Sequence, residues 1–159
     1  MAAADRSLNG LTSAALNSLA PWRETSLEAR AKLVARLAEV IASEIETFAV
    51  LMAREIGKPV RFGRTEVEQG LHMLRTLAQR AVGRDVLSED HESYVVGRQP
   101  YGVVAVITPW DNPLYIALGK IVPAILYGNA VLWKPAPEAR TVSRRLLQSL
   151  IEADWPSGL

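Results

Sequence analysis

Val103-Val-Ala-Val-Ile-Thr-Pro-Trp-Asp-Asn-Pro113, followed by Gly128-Asn-Ala-Val-Leu-Trp-Lys-Pro135, decides the fold. Val103 to Ile107 is almost wholly β-branched and apolar, which predicts a strand covered on both faces. Thr108 to Asn112 is a polar turn at that strand's C-terminal end, and Pro113 suits the first turn of a helix, where a missing N–H is no loss. Leu114, Leu118, Ile121, Val122 and Ile125 line the helix, and Gly128 closes it. Ala130 to Trp133 reads as a second buried strand, followed directly by Lys134. Val142, Leu146, Leu150 and Ala153 mark a last helix, ended by Trp155-Pro156. Strand, helix, strand and helix joined by short turns predict a right-handed parallel crossover. That is half of a nucleotide-binding α/β domain.

Upstream the pattern is helical. Over 25–56, Leu27, Ala31, Val34, Leu37, Ile41, Ile45, Phe48 and Met52 recur every three or four residues and share one face. Thr25-x-x-Glu28 is a candidate capping box, and Gly57 with Pro59 is a stop signal. Ser43-x-x-Glu46 is a candidate cap after a break, so one long helix or two remains open. A second amphipathic stretch carries Val67, Leu71, Leu74, Ala78 and Ala81, with a candidate cap at Thr65-x-x-Glu68 and an end at Gly83. Glu92 to Arg98 is short, β-prone and bounded by polar residues, so 86–101 is read as an extended hairpin outside the helical layer.

Composition bounds the function. The chain has 159 residues, 49% apolar and 22% charged, enough for one domain with a sizeable core. A net charge of +1, with arginines spread along helices, argues against a nucleic-acid or membrane-surface binder. The apolar runs are too short to span a bilayer, and no basic segment leads into an apolar one at the start. The expectation is a cytoplasmic protein. With no cysteine there is no disulfide, thiolate metal site or thiol nucleophile in these residues. His72 adjoins an apolar helix stripe and His91 lies in a polar turn, without metal-ligand spacing between them. Met52 and Met73 read as core.

Ligands of open parallel sheets bind beyond the C-terminal ends of the strands, where both turns, 108–112 and 134–138, are placed. Lys134 has the reach for a ribose hydroxyl or a phosphate, and Glu138 can accept from ribose hydroxyls. Spacing alone leaves both open, because polar loop residues are usually just solvated. Trp133 is most simply a strand residue packed under the helices, with adenine contact as the other reading. No Gly-x-Gly-x-x-Gly follows the first strand, so the ordinary dinucleotide fingerprint is absent.

Arg98-Gln-Pro-Tyr-Gly-Val-Val through Pro109-Trp-Asp-Asn-Pro113 resembles the aldehyde dehydrogenase superfamily pattern of Arg-x-Pro-x-Gly-Val-Val followed by Pro-Trp-Asn-x-Pro. Lys120, Pro123, Gly128-Asn129 and Lys134-Pro135 fall where that family has its helix lysine, proline, Gly-Asn turn and Lys-Pro. Glu55-Ile-Gly-Lys-Pro59, Glu66-Val-Glu68 and Trp155-Pro-Ser-Gly-Leu159 match as well, so the resemblance runs from about residue 20 to the end. It implies an α/β fold: a helical layer over 1–85, a hairpin excursion over 86–101 that serves oligomerisation, and over 102–159 the start of a Rossmann-like parallel sheet that binds NAD or NADP. It implies oxidation of a small-molecule aldehyde to the acid, with a homo-oligomer or a missing C-terminal part as partner and neither nucleic acid nor membrane. Ile107, Thr108, Pro109 and Trp110 would line the cofactor cleft, and Lys134 would hold the adenosine ribose or its 2′-phosphate.

Departures from the pattern are equally specific. The family's catalytic asparagine, an oxyanion donor, corresponds to Asp111, which is acceptor-only when ionised. Asn112 is the donor only if the register shifts by one. Pro137 stands where the family carries its ribose-binding glutamate, with Glu138 beside it as the substitute. The cysteine nucleophile, the general-base glutamate and the glycine turn over the pyrophosphate belong to parts of the family chain not among these residues. A fragment of an active enzyme, a non-enzymatic binding remnant and one half of a split enzyme are the three readings left open, each inactive as an isolated chain.

Overall fold

The computed structural model describes residues 7–82, 88–90, 93–97 and 99–159. Four helices come first: α1 (Leu8–Glu24), α2 (Leu27–Ala42), α3 (Ile45–Ile56) and α4 (Val60–Ala81). A short antiparallel ladder follows, β1 (Ser88–Asp90) with β2 (Val95–Gly97), in the register Glu89↔Val96. Then β3 (Val103–Ile107), α5 (Tyr115–Leu126), β4 (Ala130–Lys134), a 3₁₀ turn at Pro137–Ala139 and α6 (Arg140–Glu152) complete the chain. β3 and β4 pair in parallel, with Val103 opposite Ala130 and Ile107 opposite Lys134. Gly83, His91, Glu92 and Arg98, all singled out above, lie outside the described residues.

The helical stretch over 25–56 is two helices, and its caps differ from the sequence expectation. Ser26, not Thr25, caps α2, accepting from the Ala29 amide at 3.2 Å, while Thr25 closes α1. Ser43 turns back to the Val40 carbonyl, and α3 begins after Glu44 without a side-chain cap. α4 begins directly after Pro59, so Thr65 lies inside it and donates back to the Arg61 carbonyl at 3.1 Å. Gly57 adopts the expected left-handed cap, φ 69°. Pro113 falls just before α5, whose N-cap is Leu114, rather than inside its first turn, although the Ile116 amide already donates to the Asn112 carbonyl at 3.1 Å. Periodicity did not single out α1. Its buried residues, Ala15, Leu19 and Trp22, are few, and Asn, Ser, Gly and Pro21 mask the stripe.

The strand faces explain a second correction. Val104 and Val106 face the main core built by α2, α3, α4, α5 and α6, where Phe48, Leu74, Leu118 and Val122 are buried. Val103 faces the opposite side, where α1 contributes Ala15 and Leu19 around Ala130. Ala105 and Ile107 share the Val103 face but are exposed, Ile107 by 75%. β3 is therefore covered on both faces only at its N-terminal end. α3 and α4 cross closely: a Cβ on Gly63 would lie 2.9 Å from the Ala49 Cα.

The helical layer grips both crossover helices by their ends. At the start of α5, Glu66 Oε1 accepts from the Leu114 and Tyr115 amides at 2.9 and 3.0 Å. At its far end Trp22 Nε1 donates to the Ile125 carbonyl at 2.8 Å, and Arg30, stacked over Trp22, donates to that of Leu126 at 3.2 Å. A carboxylate at the N-terminus and a guanidinium at the C-terminus both complement the helix dipole. α6 is treated alike, with Glu55 accepting from the Thr141 and Val142 amides at 2.6 and 3.0 Å. These bonds satisfy amides that the helices themselves leave unpaired.

Candidate functional site

The ends of β3 and β4 bring Ile107 and Lys134 side by side, both exposed, with the Thr108 amide donating to the Lys134 carbonyl at 3.3 Å. Exposed Pro109 and half-exposed Trp110 follow in the turn, with Trp110 lining an open cavity. Thr108 is buried, and its hydroxyl accepts from Trp133 Nε1 at 2.9 Å. Trp133 thus packs beneath the sheet and braces the turn from behind, a link that spacing did not reveal. Pro137 opens the 3₁₀ turn, and the exposed Glu138 follows it.

The turn after β3 faces an open cavity of ≈ 440 Å³, shared with the α3–α4 junction and lined in part by Lys58, Phe62, Glu66, Trp110, Asp111 and Asn112. Lys58 and Glu66 form an ion pair there, with their side chains 14% and 3% exposed. Lys58 Nζ also donates to Asn112 Oδ1 at 2.8 Å, and Asn112 Nδ2 donates to Asp111 Oδ2 at 3.3 Å. Asp111 itself is exposed at the mouth. Sequence reasoning placed Lys58 and Glu66 only in matching motifs. The missed signal is Glu66 in the buried stripe Gly63, Val67, Gly70, Leu74, since a buried carboxylate requires a partner.

Helix N-termini are the usual anion sites of such folds. Here both crossover helices have theirs filled by protein carboxylates, Glu66 on α5 and Glu55 on α6. A pyrophosphate group therefore has no free helix N-terminus to occupy at either turn. What the two strand ends do offer is an apolar platform and the Lys134 ammonium, donors and surfaces suited to the adenosine half of a dinucleotide rather than its phosphates. Among the described residues there is no cluster of metal-ligating side chains, and no helix is long and apolar enough to cross a membrane.

The model of the aldehyde dehydrogenase family matches residues 2–159. The chain belongs to that family. An aldehyde dehydrogenase relative described as succinate-semialdehyde dehydrogenase, from Paenarthrobacter nicotinovorans, is 33% identical over 142 residues, covering 87% of this chain and 32% of the relative. Among solved structures, an NAD-dependent aldehyde dehydrogenase from Sinorhizobium meliloti superposes with a TM-score of 0.87 at 30% identity, over 94% of this chain and 31% of that one. A mutant of aldehyde dehydrogenase C from Pseudomonas syringae, in complex with NAD+ and octanal, gives 0.89 at 28% identity, over 94% and 31%. The chain thus spans under a third of these relatives' length. Its helical layer and small parallel sheet are the N-terminal part of the aldehyde dehydrogenase fold, as the sequence motifs implied.

Proposed function

We propose that this chain forms the adenosine-side wall and the oxyanion turn of a site for NAD(P)-dependent aldehyde oxidation. These 159 residues include no cysteine, so the thiol nucleophile of such a site is not among them. The observation that carries the reading is the exposed end of the sheet, where Ile107 is the register partner of Lys134 and exposed Pro109 and half-exposed Trp110 follow in the turn. Family membership gives that surface its meaning. Ile107 and Trp110 offer apolar area to a nucleoside, and Lys134 offers an ammonium to its ribose hydroxyls or to a 2′-phosphate. Pro137 has no side-chain acceptor for the ribose, and Glu138 is the exposed carboxylate nearest in sequence to take that part.

When bound, NAD or NADP accepts hydride from the aldehyde adduct. The chain's own part in that chemistry falls to the turn. Asp111 stands where the family has its oxyanion-stabilising asparagine, and Asn112 has both ends of its amide engaged, by Lys58 and by Asp111. Asp111 is therefore the better candidate for the residue facing the reacting oxygen, and as a carboxylate it donates nothing to it. Loss of one such donor costs about 2.7–4 kcal/mol of transition-state stabilisation.

That carboxylate favours a second reading, in which the chain binds nucleotide or a protein partner without catalysing. An aldehyde panel with both cofactors, run on the chain alone and assembled with a cysteine-bearing remainder of the fold, separates the two. Aldehyde-dependent reduction of cofactor by the assembly supports the enzyme reading, and nucleotide binding without turnover supports the other.

A further inference from the structure

Asn112 lies between two groups of opposite hydrogen-bonding character. A lysine ammonium only donates and a carboxylate only accepts. An amide bridging the two must therefore point its oxygen at Lys58 and its nitrogen at Asp111, the arrangement found here. Chemistry of the partners, not the electron count of the amide, fixes this orientation.

We infer that Lys58 is a positioning residue for Asp111, acting through Asn112. Glu66 holds Lys58 by its Oε2 while its Oε1 receives the first amides of α5. Lys58 fixes the Asn112 amide, and that amide fixes the rotamer of the Asp111 carboxylate at the cavity mouth. The ordered path is Glu66, Lys58, Asn112, Asp111, running from a buried ion pair to an exposed side chain. Position 112 makes the path possible, because an apolar side chain there would accept nothing from Lys58 and donate nothing to Asp111. Lys58 also belongs to the junction between α3 and α4, so any shift of those helices is transmitted to the turn. The inference rests on the reading of Asp111 above for its catalytic meaning, but its geometry stands apart from that reading and is tested apart.

The test is NMR of the full 159-residue chain at a dilution where it is monomeric, following the Asn112 side-chain NH₂ and the Asp111 carboxyl carbon. Lys58→Met frees the Asn112 oxygen, so the amide no longer holds its NH₂ on the Asp111 carboxylate, and exchange of that NH₂ with water should speed about tenfold or more, the worth of the charge-assisted bond to Asp111. The Asp111 carboxyl signal should move in the same variant. Glu44→Gln, which removes an ion-pair partner of Arg145 elsewhere, should move neither signal. Lys58→Arg keeps a positive charge opposite Glu66 and so preserves the fold if the methionine variant does not. Its planar fork cannot reproduce the compact ammonium, so the same signals should shift. Unmoved Asn112 and Asp111 signals in a folded Lys58→Met or Lys58→Arg chain would overturn the inference. A moved signature with no turnover in any assembly would leave the positioning intact and count against the enzyme reading alone.

Discussion

Lys58 Nζ donates to Asn112 Oδ1 at 2.8 Å, tying the α3–α4 junction to the turn that follows β3. The same ammonium pairs with Glu66, which caps α5. One buried ion pair therefore joins the helical layer, the crossover helix and the site's turn.

Glu66→Gln keeps an oxygen for the Leu114 and Tyr115 amides but leaves the part-buried Lys58 without its charge partner. Removing one member of a fully buried pair costs about 3–5 kcal/mol, and the part-buried Lys58 lowers the expected loss to about 1–3 kcal/mol. Urea unfolding should show a loss of that size. A loss below that of an ordinary exposed pair would mean that water reaches Lys58 freely.

Gly63 and Gly119 separate packing from propensity. Alanine at either position gains up to about 1 kcal/mol of helix propensity. At Gly63 the new methyl meets the Ala49 backbone at 2.9 Å, and overpacking costs ~1–3 kcal/mol. At Gly119 it meets only Met73 Sδ at 3.5 Å, an ordinary contact. Gly63→Ala should lower the melting temperature, and Gly119→Ala should hold or raise it. Equal responses would contradict the close α3–α4 crossing.

Arg145 holds the Glu152 carboxyl below the usual carboxylate range, chiefly through a direct hydrogen bond. A carboxyl lowered by folding stabilises the folded state above its unfolded pKa, and the gain is lost as pH falls through the folded value. Glu152→Gln should thus reduce stability near neutrality and cost progressively less toward acid. The check is the gap between wild-type and variant unfolding midpoints across that window. A gap that widens toward acid would reverse the sign.

Exposed Ile107 at the end of β3, beside half-exposed Trp110, predicts concentration-dependent self-association of the isolated chain. Ile107→Lys should shift sedimentation toward monomer. The same distribution before and after would place the contact elsewhere.

Nucleotide contact, where it occurs, should run through Lys134. With neither helix N-terminus at the strand ends free for the pyrophosphate, affinity should be in the millimolar range, about 4 kcal/mol. Lys134→Ala should abolish it. If wild type and variant titrate alike, Lys134 is simply a solvated surface residue.

The second half of the fold was readable because its signals are local. Val103 to Ile107, Pro113 and Gly128 each carry their own conformational preference, and strand, helix and strand form where those preferences place them. Helix boundaries were less legible, because Ser26 and Thr25 are equally good caps in sequence and tertiary packing chose between them. The exposure of Ala105 and Ile107 was hidden, because the reach of α1 over the sheet sets it and no strand residue records it. Motifs and strand patterning placed Lys134 and the 107–111 segment at the C-terminal ends of the two strands, where the structure has them. The Lys58–Asn112 contact was not legible, because it joins residues 54 positions apart and depends on how α4 lies against α5.

Turnover by the chain assembled with a cysteine-bearing remainder of the fold tests the central claim most directly, comparing Asp111 with Asp111→Asn. The substitution restores N–H donors at nearly constant volume, in a site where they act on the transition state rather than on substrate binding. A carboxylate at the oxyanion position predicts measurable aldehyde-dependent reduction of NAD or NADP, a kcat raised roughly 10²–10³-fold by Asp111→Asn, little change in KM, and only a small effect of Asn112→Ala. An assembly inactive with either residue would contradict that prediction, as would a neutral Asp111→Asn alongside a damaging Asn112→Ala.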